Sequence, residues 1–163
     1  MMQEHHVTIR VMRREDAVSI VAMARELAAS VADPAPALTV SDLTRDGFGP
    51  ERWFDCLVAE AGNRMVGYVL FCRGFEAHTA RRRLWIGDLY VRAEARRHGA
   101  GRALIAAVAR HALQQGCDAV YWELWRENRS GEAFFQSVHG AEAEDIATMR
   151  FDKARLQAIA ASK

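Results

Sequence analysis

Leu84-Trp85-Ile86-Gly87-Asp88-Leu89-Tyr90-Val91 runs directly into Arg92-Ala93-Glu94-Ala95-Arg96-Arg97-His98-Gly99-Ala100-Gly101-Arg102. The first eight residues are apolar apart from Gly87 and Asp88, the pattern of a central strand buried on both faces. From Arg102 onward, Leu104, Ile105, Val108, Ala109 and Ala112 form an apolar stripe, which predicts a helix ending at Gly116. A helix start offers unpaired backbone N–H groups and the positive end of the helix dipole. Such groups bind phosphate. Gly99 and Gly101 carry no Cβ that would hold a diphosphate away from the backbone, and Arg96, Arg97 and Arg102 add positive charge nearby. The segment from Asp88 to Arg102 therefore reads as a phosphate-binding strand-turn-helix. A tight turn with solvated arginines is the other reading of the same residues.

Two better-known phosphate motifs fail here. A P-loop needs Gly-Lys-Ser/Thr, whereas Gly101 is followed by Arg102-Ala103. A dinucleotide fingerprint needs a third glycine where Leu104 stands. What remains is Arg-x-x-Gly-x-Gly between a strand and a helix.

Working outward, Val7 to Met12 alternates and reads as a strand. Ala17, Ile20, Ala24, Leu27 and Val31 lie on one helix face, which Asp33-Pro34 and Pro36 end. A short helix is expected at Val40 to Arg45, stopped by Gly47 and Gly49. Cys56 to Ala59 and Met65 to Cys72 flank the turn Gly62-Asn63 and predict a hairpin. Gly74 to Arg83 reads as a polar connection. Ala119 to Trp125 is expected as a strand, Glu132 to Val138 as a helix, Ile146 to Phe151 as a last strand, and a helical tail follows from Lys153. Antiparallel strands early and strand-helix alternation later predict an α/β chain of mixed α+β type, with helices on the faces of a mixed sheet.

The chain has 163 residues, half of them hydrophobic, with formal net charge +1. With no repeat and no low-complexity linker, a single domain over 1–163 is expected. Near-neutral charge excludes a strongly basic nucleic-acid binder. No apolar run nears the ~18 residues of a membrane span. Met1 to His6 lacks the apolar stretch of a secretory leader, so a cytoplasmic location is expected. The three cysteines, Cys56, Cys72 and Cys117, show no metal-site or disulfide spacing, and no metal is expected.

Arg96 to Gly101 resembles the Arg/Gln-x-x-Gly-x-Gly/Ala signature of the GNAT superfamily of acetyltransferases. Asp46-Gly47-Phe48-Gly49 with Phe54 to Glu60 resembles its diamine (spermidine/spermine and thialysine) branch, as does Asp88 to Val91. Asn128 with Ala133-Phe134-Phe135 and Gly140-Ala141, and then Met149 to Lys153, resemble the later blocks. The resemblance spans nearly the whole chain. It implies a mostly antiparallel sheet of about six to seven strands with helices on both faces. It implies an N-acetyltransferase that moves an acetyl group from acetyl-CoA to a primary amine of a small molecule, and it implies a homodimer.

By the same resemblance, backbone amides of Leu89, Tyr90 and Val91 hold the pantetheine arm, and Arg96, Arg97, His98, Gly99, Ala100, Gly101 and Arg102 hold the pyrophosphate. Asn128, Gly131, Phe134 and Phe135 lie along the coenzyme. The sequence departs from its relatives where they keep polar groups: Phe135 stands at the proton-donor Tyr, and Gly87 at an acid. Asp88, Glu123 and Tyr90 are the candidate catalytic substitutes, with Tyr121 a further hydroxyl. Glu26, Gly87 and Asp88 are the candidate acceptor contacts. Two other readings stay open: an acyl-CoA-binding or regulatory module with weak or no catalysis, and an acetyltransferase for a protein N-terminus or lysine.

Overall fold

The computed structural model describes residues 7–143 and 147–161. These divide into two units, Met1–Asn128 and Arg129–Lys163. The first unit holds strands β1 (Val7–Val11), β2 (Asp55–Ala61), β3 (Arg64–Glu76), β4 (Arg81–Val91) and β5 (Cys117–Trp122), with helices α1 (Ala17–Ser30), α2 (Val40–Phe48) and α3 (Ala100–Gln114). The strands form one sheet in the order β1-β2-β3-β4-β5. All neighbours are antiparallel except β4 and β5, which run parallel because α3 carries the chain across.

Local chemistry sets the element ends. Arg10 grips the buried Asp16 at 2.6 Å and Glu60 at 2.6 Å, and Asp16 also accepts the Arg13 N–H. This ties β1 to the start of α1. Thr39 accepts the Asp42 N–H at 3.2 Å while the Asp42 carboxylate accepts the Thr39 N–H at 3.0 Å, a reciprocal cap that starts α2. Gly49 ends α2, three residues later than the Val40 to Arg45 span expected; a Cβ there would lie 2.2 Å from the Arg45 carbonyl oxygen. Gly62, at φ +61°, makes the β2–β3 turn.

Helices cover both faces. On one, α1 and α2 bury Ile20, Met23 and Leu43 against Cys56, Val58, Tyr68 and Tyr90. On the other, α3 buries Leu104 and Val108 against Val69, Phe71, Leu84 and Ile86. Each such buried aliphatic contributes roughly 1.5–3 kcal/mol.

One extra residue decides which side chains reach which face. Leu70 pairs with Asp88 but the next residue, Phe71, pairs with Ile86, so Gly87 is a bulge. Strand side chains alternate by twos. Leu84 and Ile86 face α3, yet so do Leu89 and Val91. The parity change at Gly87 turns Asp88 and Tyr90 toward α1.

Gly74 to Arg83, expected as a connection, is instead a strand ribbon: Gly74, Phe75 and Glu76 pair with Arg83, Arg82 and Arg81. Glu76 accepts hydrogen bonds from Arg83 and Thr79, which offsets the charge repulsion among the three arginines.

The second unit holds α4 (Arg129–Ser137) and α5 (Lys153–Ala161). Phe134 and Phe135 meet edge to face at 5.2 Å. Asp152 accepts the Arg155 N–H at 2.8 Å and opens α5. The expected last strand is not found: residues 147–151 pair with no strand, and Ile146 lies outside the described residues. The sheet therefore has five strands among the described residues, not six or seven. An alternating run becomes a strand only with a partner, and Met149 and Phe151 are both exposed.

Candidate active site

The β4–β5 pairing stops halfway along β4. It runs from Arg82 opposite Cys117 to Ile86 opposite Trp122 and then ends. Gly87 to Val91 pairs with β3 alone, Asp88 with Leu70, Leu89 with Val69, Tyr90 with Tyr68 and Val91 with Gly67. Among the described residues, this stretch has no strand on its β5 side. Backbone groups along such an edge suit an extended ligand that carries amides of its own. The close approach of β3 is set by Gly67, where a Cβ would lie 2.7 Å from the Tyr90 carbonyl oxygen and 3.1 Å from Val91 Cγ2.

The open edge leads into the glycine-arginine turn. A short 3-10 turn (Ala93–Ala95) follows β4, Arg97 takes φ +65°, and Gly99 takes φ +86° as the N-cap of α3. The helix begins at Ala100, two residues before the expected Arg102, and no side chain caps it. Its positive end therefore faces outward. Arg96, Arg97, His98 and Arg102 are exposed around it. Arg96 is tied back to the strand: its Nε donates to the Val91 carbonyl at 2.9 Å and its guanidinium lies 5.5 Å from the Tyr90 ring centroid.

Asp88 is the first side chain past the bulge on the α1 face. The Tyr68 hydroxyl donates to its Oδ2 at 3.4 Å. Burial pushes the Asp88 carboxyl above the usual carboxylate range, and the Tyr68 bond partly counters this. Burial and the neighbouring Asp88 charge raise the Tyr68 phenol. Burial pushes the nearby Cys56 thiol up to about 12. This pocket favours neutral groups, and a carboxylate within it is poised to take a proton. Toward the turn, Glu26 of α1 lies 3.5 Å from Arg92. Burial, and then the charge of Glu26, raise the Tyr90 phenol. The Arg92 Nε is buried with no hydrogen-bond partner among the described residues.

Residues 22–141 match the Acetyltransferase (GNAT) family.

The chain belongs to this family.

As a GNAT enzyme, the chain is similar to the thialysine N-epsilon-acetyltransferase of Sus scrofa, 30% identical over 94% of this chain and 97% of that one. It is similar to the L-ornithine N5-acetyltransferase of Arabidopsis thaliana, 29% identical over 75% of this chain and 50% of that one. Among solved structures, an integron cassette protein from the mobile metagenome of V. cholerae superimposes with a TM-score of 0.79 at 21% identity, covering 96% of this chain and 98% of that one. The N-acetyltransferase and its diamine-acetyltransferase likeness stand on these relatives.

The GNAT scaffold brings Glu26, Gly87, Asp88, Leu89, Tyr90, Val91 and Arg96 to Arg102 together in the first unit. Glu26 faces Arg92 and the Tyr90 side, not Asp88. Glu123 lies past the end of β5, exposed, because the strand stops at Trp122 and not at Trp125. Asn128 stands immediately before α4, its N–H bonded to the Trp125 carbonyl at 2.9 Å. Gly131, Phe134 and Phe135 lie on α4 in the second unit. Sequence reasoning missed Tyr68, Gly67 and Arg92. Gly67 carried a signal, since a glycine inside a strand often marks close backbone approach. Tyr68 carried none, because its partner lies twenty residues away and on the correct face only through the bulge.

Proposed function

We propose that this GNAT enzyme transfers the acetyl group of acetyl-CoA to the primary amine of a small molecule, working in a single domain as a homodimer. The observation that carries the reading is the end of β4–β5 pairing at Ile86 and Trp122. The unpaired stretch of β4 fits a pantetheine arm held by the backbone of Leu89, Tyr90 and Val91. The uncapped α3 start with Gly99, Ala100 and Gly101 fits the pyrophosphate, with Arg96, Arg97 and Arg102 as its charged surroundings and His98 as a further donor. Asn128, Gly131, Phe134 and Phe135 are proposed along the rest of the coenzyme.

An alkylammonium, with a pKa near ~10.4, must lose its proton before it can attack. Asp88, whose carboxyl burial holds above the usual range, accepts that proton as its carboxylate. The amine nitrogen then bonds to the thioester carbonyl carbon, the C–S bond breaks, and the thiolate leaves with the electron pair. The nitrogen sheds a second proton as the amide forms, and that proton, relayed by Tyr90 or through water by Glu123, ends on the thiolate.

Gly87 and Phe135, which stand where relatives keep an acid and a tyrosine, favour the second reading: a coenzyme-binding module without turnover. Mixing the chain with acetyl-CoA and a panel of amines, and following free thiol release, separates the two. Amine-dependent release is expected. No turnover with any amine, while calorimetry shows intact acetyl-CoA binding, overturns the transfer reading.

A further inference from the structure

The face of the sheet that carries Asp88 continues past the bulge, beyond the part covered by α1 and α2. Trp85 and Tyr121 are register partners on β4 and β5 and lie on that face, since Leu84, Ile86, Val120 and Trp122 face α3. Their rings stack with centroids 6.2 Å apart and planes 11° from parallel. Trp85 is 37% exposed, an open indole in the middle of a sheet. Arg83 lies 4.9 Å from the Tyr121 centroid and closes the far end. Between Trp85 and Asp88 stands Gly87, which puts no side chain of its own between the carboxylate and the indole; Leu70 of β3 borders the gap. Gly87 is not required by close packing: a Cβ there would sit 3.4 Å from Leu70 Cδ2, ordinary contact.

Charge at this end opposes a second cation. Asp118 faces Arg81 at 3.5 Å, and Glu76 is bound by Arg83. Each of these carboxylates already has an arginine. A ligand that reaches here from Asp88 meets aromatic rings and guanidinium groups.

We propose that Trp85 and Tyr121 form the acceptor subsite, and that the acceptor is a primary amine with one flat apolar or aromatic body and no second cationic end. The inference rests on the transfer reading above and deepens it. Three strand residues span on the order of 10 Å, which an amine, a short methylene chain and one ring fill. The amine sits at Asp88, the chain crosses Gly87, and the ring packs on the Trp85 indole.

The test uses 2-phenylethylamine and spermidine with the full chain. The expected kcat/KM for 2-phenylethylamine is at least tenfold higher. Trp85→Ala is expected to lower that value about tenfold, mainly through KM, and to leave spermidine unchanged; Trp85→Phe is expected to restore most of it. Acetyl-CoA affinity should be equal in all three proteins, which checks their folding. A higher kcat/KM for spermidine, or an equal loss on both amines in Trp85→Ala, overturns the subsite while leaving the transfer reading intact. Calorimetry in the presence of coenzyme A reads the subsite without turnover. Binding of 2-phenylethylamine that Trp85→Ala abolishes supports it even if no amine is acetylated; no binding together with no turnover overturns both readings.

Discussion

Asp88 occupies a position where a charge is costly. Its folded carboxyl titrates above the ordinary range because burial outweighs the Tyr68 hydrogen bond. A group that binds its proton more tightly in the folded chain gives stability at low pH, and that stability is lost as pH rises through the folded pKa. Asp88→Asn removes this loss. The variant should therefore be more stable than the parent at pH 7 by about 1 kcal/mol, with the gain vanishing near pH 3, where both states carry a protonated carboxyl. Thermal unfolding at the two pH values checks this, and equal stability differences at both would contradict the assignment. The acid at Asp88 was legible in the sequence as an isolated carboxyl in an apolar run. Its tyrosine was not, because neither the pairing of Tyr68 with Tyr90 nor the parity change at Gly87 can be read from local periodicity.

At the scale of elements, the site is a strand that loses one neighbour and a helix whose first turn is bare. Both depend on glycines, for different reasons. Gly67 is needed for space: its Cβ would press on the Tyr90 carbonyl at 2.7 Å. Gly67→Ala must push β3 from β4 beside the proposed pantetheine edge, and should cost roughly 1–3 kcal/mol of stability along with about tenfold in acetyl-CoA affinity by calorimetry. Gly99 has open space around its Cβ position but sits at φ +86°. Gly99→Glu adds backbone strain on the order of 1 kcal/mol and a carboxylate beside the proposed pyrophosphate. Its acetyl-CoA affinity should fall by more than that of Gly67→Ala, and an unchanged affinity would remove the turn from the site. The strand-turn-helix was legible because three independent signals coincide there: a continuous apolar run, paired glycines and a helical stripe. The β3–β4 ribbon was not legible, since Arg81, Arg82 and Arg83 become strand only when Glu76 and the β3 backbone stand opposite.

For the molecule as a whole, the two-sided core was written in the sequence as alternating runs and helical stripes, and the helices do cover both faces. The strand count was not, because Met149 and Phe151 have the pattern of a strand without a partner among the described residues. The core also fixes the chemistry of the thiols. Cys56 and Cys117 are buried and Cys72 is half-buried. The native chain should therefore react with one equivalent of a thiol reagent, at Cys72, and with three after denaturation; fast reaction of Cys56 in the native chain would show that the pocket beneath Asp88 opens to solvent. Gly87 reaches further than its size suggests. In a strand, substituting a residue and removing one are different kinds of change, because alternation counts positions rather than side chains. Another residue at 87 leaves the frame of β4 intact. Deleting that one position would take out the bulge itself, and plain alternation from Ile86 to Asp88 would leave Asp88 and Tyr90 toward α1 and Leu89 and Val91 toward α3. Pressing the strand straight with Gly87 kept in register would instead exchange the reactive and the greasy sides of the site in one step.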